Sequence, residues 1–250
     1  MNCAGEASTR ARRSLRPRGI RLAIIAALFD SDGTLYTKQM GRGMIRYSAA
    51  HGRRAAAYRY YASSAVGYFL RKLKLMKPQR FQENLMTGMA RLIEGMTEQQ
   101  AQEVFGWVAH DYLLPTQRTD VTLRLREHQA QGHLVVIISG SFTPCLDLIG
   151  AHFGVENLIG TRLETRDGRY TGEAIPPMIT GPAKAEGVRG LLSARGLEVD
   201  WEGSYAYGDS ITDREMLELA GHPVAVYPDT RLGVLAGERG WEVLGVSKGK

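Results

Sequence analysis

Short apolar runs that end in polar, glycine-bearing turns occupy both ends of the chain, and a long stretch of helical periodicity lies between them. The first run, residues 22–29, stops at Asp30 and turns on Gly33, which predicts a buried strand with Asp30 to Thr34 on the loop at its carboxyl end. From Leu35 the period changes, and helices are predicted over 41–52, 54–75, 77–94 and 97–112, with Lys77-Pro78 and Met96-Thr97-Glu98 as starts and Pro115 as a stop. Alternation then returns: a helix over 120–131, a strand over 134–138, a helix over 143–153 and a strand over 159–163. A turn at Arg166-Asp167-Gly168-Arg169 precedes a helix over 183–195, strands over 203–207 and 223–226 around a helix over 213–220, and a last helix and strand ending near Val243. Such alternation predicts a mainly parallel sheet covered on both faces.

The carboxylates of Asp30 and Asp32 sit where ligands bind in open α/β sheets, at the carboxyl end of a strand. They repel one another and resist desolvation, so the pair is costly unless a cation or a transfer reaction uses it. Taken alone, the segment also fits an Asp-rich turn or a calcium loop. Three more polar insertions follow: Ser139 in HLVVIISGSF, Lys184 in TGPAKAEG, and Asp209 with Asp213 in SYAYGDSITD. Each has a plain reading by itself, as a solvated charge or a helix-capping residue.

In order, the chain offers DxDGT, an apolar run ending in Ser, then Lys, then GDSxxD, and this set resembles the haloacid dehalogenase (HAD) superfamily of phosphohydrolases. Its phosphoserine phosphatase-like branch, subfamily IB, is the nearest, since RLETRDGRYTGE resembles the hairpin those enzymes carry before the lysine. The resemblance implies a Rossmann-like three-layer α/β core with a mainly parallel sheet and an inserted all-helical cap. A disordered basic tail is then expected over 1–20, the core over 21–36 and 119–246, and the cap over 37–118. The 45 residues from Ser139 to Lys184 leave no room for the larger alternative cap.

The same resemblance implies a Mg²⁺-dependent phosphomonoester hydrolase acting on a small organic phosphate through an aspartyl phosphate. Asp30 is the nucleophile and Asp32 the general acid and base. Asp30, the backbone carbonyl of Asp32 and Asp209 are the implied Mg²⁺ ligands, with Asp213 in or next to that set. Lys184, the Ser139 hydroxyl, the Gly140 amide and Thr34 complete the phosphate-binding group, Thr34 by ordering the first loop. A phosphotransferase with the same intermediate and an idle binding protein are the rivals, and the intact acidic set argues against idleness. Phosphoserine phosphatases hold the substrate ammonium with an acidic cap residue nine positions after the nucleophile and its carboxylate with a cap arginine. Gln39 and, by approximate matching, Gly88 stand at those places, so phosphoserine is expected to be a poor substrate.

Charge adds one feature. The net charge of +6 is uneven: residues 1–21 carry six arginines against Glu6, and residues 37–118 carry thirteen Lys or Arg against five acids. Within the cap, Tyr58, Tyr60, Tyr61, Tyr68 and Phe69 lie among Arg53, Arg54, Arg59, Arg71, Lys72, Lys74 and Lys77. Aromatics packed inside the cap under solvated cations are the favoured reading. An interfacial surface for a membrane or an amphiphilic phosphate ester is the second. Nucleic acid is not expected, because no recognised binding module accompanies the patch. The basic start before LAIIAALF is not read as a secretory signal, since cleavage there would remove the acidic motif. Two cysteines make no disulfide framework, so a cytoplasmic setting is expected, with the oligomeric state left open.

Overall fold

The computed structural model describes residues 23–246, apart from the side chains of Pro78 and Gln79; the expected tail over 1–20 lies outside that range. In chain order the elements are β1 (Ala26–Asp30), α1 (Met40–Ala50), α2 (Arg54–Lys72), α3 (Pro78–Ala90), α4 (Glu98–Trp107) and α5 (Thr119–Ala130). They continue with β2 (Leu134–Phe142), α6 (Thr143–Phe153), β3 (Asn157–Arg166), β4 (Arg169–Ile175) and α7 (Pro182–Ala194). The last are β5 (Tyr205–Gly208), α8 (Arg214–Leu217), β6 (His222–Val226), α9 (Thr230–Arg239) and β7 (Glu242–Leu244).

One sheet holds all seven strands in the order β4-β3-β2-β1-β5-β6-β7. Every pairing is parallel except that of β3 with β4, which form the expected hairpin. Alternate residues of a strand face opposite sides, and the core divides accordingly. Ala27, Phe29, Val135 and Ile137 pack with Val121 and Leu125 of α5 and Leu146 and Ile149 of α6. Ala26, Leu28, Val136 and Ile138 pack with Val188 and Leu192 of α7, Met216 of α8 and Leu232 of α9. The result is the expected three-layer α/β arrangement with β1 at its centre.

Several boundaries differ from the sequence pattern. β1 starts at Ala26 rather than at residue 22, and Ile24 makes only an isolated bridge with Val199. β2 runs on through Ser139 to Phe142, with a register shift against β3 between Ile138 and Phe142. A shift of that kind re-aims side chains next to a site. The helix expected over 97–112 ends at Trp107 and widens into a looser π-type turn, Val108–Leu113. Only Arg214–Leu217 of the helix expected over 213–220 is α-helical, after a tight turn over Ile211–Asp213. The stretch from α1 to α4 adds no strand, and its apolar side joins the same cluster as α5 and α6 through Met40, Met44, Ala56 and Phe105.

Candidate active site

Asp30 is the last residue of β1, and its neighbours hold it from both sides. Lys184 Nζ, from the first turn of α7, donates to Asp30 Oδ1 at 2.6 Å, and Thr34 Oγ1 donates to Oδ2 at 3.0 Å. Lys184 also pairs with Asp213. Burial by itself would lower the lysine pKa, but Asp213 and Asp30 more than offset this and hold it well above its ordinary value, so it stays charged. Asp213 has no free oxygen: besides Lys184 it accepts from the Asp209 and Ser210 amides at 3.2 and 3.0 Å.

Asp209 is the reverse case. Its half-buried carboxylate accepts no hydrogen bond among the described residues, yet it can bring an oxygen within 4.8 Å of oxygens of Asp30 and Asp213. Burial, then Asp30 and Asp213, push its pKa up to about 8. Asp30 is pushed up to about 7 by burial and by Asp213, against the pull of Lys184. A carboxylate left in this position without a donor is stabilised by a cation, and all-oxygen donors with room for water suit a hard divalent ion. This close approach depends on Gly33. With φ near +100°, it passes so near that a Cβ there would lie 2.2 Å from Asp209 Oδ2.

Asp32 faces the same cavity from the other side of the loop. The Met40 amide donates to its Oδ2 at 2.9 Å and the Ser141 hydroxyl to its Oδ1 at 3.1 Å. Burial raises its pKa although these donors oppose the rise. Ser139 Oγ accepts from Ser31 Oγ at 2.6 Å and from the Ser141 amide at 3.0 Å. With both acceptor positions filled, its own proton is left to donate.

The structure thus brings together Asp30, Asp32, Ser139, Gly140, Lys184, Asp209, Asp213 and Gln39 around one cavity of about 840 Å³. Thr34 is the exception: it is fully buried, does not line the cavity, and uses its hydroxyl on Asp30. Gly88 is a second correction. It packs against the Tyr60 ring and lies off the cavity, while Arg42 and Arg46 of α1 line it instead. Sequence reasoning also passed over Ser31, Ser141, Asp229 and Arg118. Asp229 accepts from the Ile211 amide at 3.1 Å and Arg118 donates to the Gly33 carbonyl at 3.1 Å, each bracing a loop of the site. Ser141 was within reach in the SGSF string; the other contacts come from chain neighbours too distant to leave a local signal.

These features have counterparts in known proteins. The profile of the haloacid dehalogenase-like hydrolases matches residues 27–218. The chain belongs to that family. It is 31% identical over 225 residues to a phosphoserine phosphatase of Mycobacterium tuberculosis, covering 87% of this chain and 70% of the relative. A Streptomyces azureus protein named for inhibition of morphological differentiation is 36% identical over 163 residues, 65% of this chain and 58% of that one. So the chain spans less than two thirds of that relative's length. A Bordetella pertussis protein of unknown function has the same fold, with TM-score 0.77 and 26% identity over 90% of this chain and 99% of its own. The expected membership of the HAD superfamily is borne out.

Proposed function

We propose that the protein is a Mg²⁺-dependent phosphomonoesterase working through an aspartyl phosphate on Asp30, with residues 37–118 as a cap over the cavity and a cytoplasmic setting. The observation that carries this is the pairing of a pinned Asp30 with an Asp209 carboxylate that has no donor.

In this reading the Asp30 and Asp209 side chains and the Asp32 carbonyl hold the Mg²⁺, which supplies charge neutralisation for the phosphoryl group. Thr34 and Lys184 fix the Asp30 carboxylate, so that one oxygen points at phosphorus. Ser139, the Gly140 amide and Lys184 bind phosphoryl oxygens. Asp30 attacks phosphorus, the bond to the ester oxygen breaks, and Asp32 donates its proton to that oxygen. Burial raises the pKa of Asp32, which favours the protonated form. Asp32 then takes a proton from water as the water attacks the aspartyl phosphate, which frees Asp30 and phosphate. Asp213 positions Lys184 and the 209–210 backbone and stands in or next to the ligand set.

The cap wall narrows the substrate. Met40, Ile45, Met86 and Met89 face the cavity with Arg42 and Arg46, and its only acids are the four aspartates of the core. That lining suits an ester with an apolar body and a second anionic group, and the cap side offers no carboxylate to a substrate ammonium. Hydrolysis of a panel of phosphate esters with and without chelator tests the reading. Activity should require Mg²⁺, fall in Asp209→Ala through weaker metal binding, and drop by several orders of magnitude in Asp30→Asn with the fold intact. Full turnover in excess chelator, or by Asp30→Asn, would overturn it; retention of phosphate by an acceptor alcohol in place of water would indicate the phosphotransferase.

A further inference from the structure

α2 is turned inside out relative to an ordinary surface helix. Ala56, Ala57 and Gly67 are its buried residues, while Tyr58, Tyr61, Tyr68 and Phe69 are each at least 60% exposed. Of the eleven large apolar side chains exposed among the described residues, seven lie between Tyr58 and Leu75. Tyr58, Ala62, Ala65 and Phe69 recur at spacings of three and four, so they form one outward stripe. The favoured sequence reading, aromatics packed within the cap, is therefore corrected: of the five, Tyr60 turns inward and Tyr61 lies at the rim of the cavity, 60% exposed, while Tyr58, Tyr68 and Phe69 face away from it.

The charge around this stripe has one sign. Between Asp32 and Glu83 the chain has eleven Lys or Arg and no Asp or Glu. Arg59, Lys72 and Lys74 make no ion pair among the described residues. An apolar stripe of this size needs a cover, and the cations select an anionic one. A second copy meeting the same face across a two-fold axis would set cations against cations. None of the described helices is long and apolar enough to cross a membrane.

We propose that the outward face of α2 docks the protein on an anionic lipid surface. Tyr58, Tyr68 and Phe69 enter the headgroup boundary, and Lys72 and Lys74 meet lipid phosphates. The inner side of the same helix lines the cavity through Tyr60, Tyr61 and Ser64, so docking brings the cavity beside the bilayer. This makes a membrane amphiphile ending in a phosphomonoester the substrate class, a consequence that rests on the hydrolase reading, whereas the docking does not.

Co-sedimentation with vesicles tests the docking. The protein should bind phosphatidylglycerol-containing vesicles at low salt, release them at high salt, and ignore pure phosphatidylcholine. Tyr58→Ser with Phe69→Ser removes the apolar anchor and should lower binding at least tenfold. Lys72→Glu with Lys74→Glu should lower it at least twentyfold. Both double variants should keep wild-type melting and wild-type hydrolysis of a soluble aryl phosphate. Absence of binding to anionic vesicles at low salt, or binding unchanged in both double variants, overturns the proposal. So does a wild-type dimer that the serine variant dissociates without any vesicle binding. Vesicle binding by a protein inert towards aryl phosphates would uphold the docking and defeat the hydrolase reading alone.

Discussion

Gly33→Ala isolates how far activity depends on the placing of Asp209. The new Cβ would lie 2.2 Å from Asp209 Oδ2, so the carboxylate must retreat by roughly 1 Å to reach ordinary contact. Displacement on that scale at a reacting centre costs about a hundredfold in rate, or about 2.7 kcal/mol of transition-state stabilisation. The φ near +100° adds backbone strain for alanine of about 1–2 kcal/mol, and so a loss of a few degrees in Tm. Strain and clash can be separated, because Gly132 also has positive φ, +73°, but nothing lies within 4 Å of its added Cβ. Gly132→Ala should therefore lose a similar amount of stability and keep its activity. The assay is kcat/KM for an aryl phosphate across a Mg²⁺ titration, beside thermal unfolding. Wild-type kcat/KM in a folded Gly33→Ala protein would refute the reasoning, since Asp209 would then not need its present position.

Three further outcomes are expected. Lys184→Met leaves the buried Asp30 and Asp213 without their shared cation, and unfolding in denaturant should show a loss of about 3–5 kcal/mol together with loss of turnover; undiminished stability would mean that the triad is not held by charge. His128 is 5% exposed and its pKa is lowered from 6.5 to about 4 by burial, His133 and Arg124, so its neutral form stabilises the fold fully above pH 6.5 and that share is lost as pH falls towards 4. The loss is about 3 kcal/mol, and His128→Gln should flatten this part of the stability profile; an unchanged slope would assign it to other groups. Phosphoserine should be handled less well than an ester of matched size without an ammonium. Because Arg42 and Arg46 can meet its carboxylate, only one charge-assisted contact is missing, at about 1.5–3 kcal/mol, so the deficit in kcat/KM is about ten- to a hundred-and-fifty-fold; preference for phosphoserine would refute it.

The sequence by itself determined the layered fold and most of the residues that line the candidate site, because most of them end an apolar run where burying a charge or hydroxyl is costly. Asp30, Ser139 and Asp209 stand out for that reason, Lys184 only through its place in the motif order, and the rhythm of strands and helices places them at the same end of a parallel sheet. The motif resemblance placed Asp209 among the implied ligands and left Asp213 in or next to them. Tertiary contacts separate the two, giving Asp213 two amides and a lysine and Asp209 no donor among the described residues. Thr34 reads as part of the phosphate site until folding turns its hydroxyl onto Asp30. The stretch from α1 to α4 was legible as helices but not in its facing. Periodicity says which residues of α2 share a side, whereas the side that is covered depends on how α1 and α3 pack against it. That packing buries Ala56 and Gly67 and leaves Tyr58 and Phe69 in water.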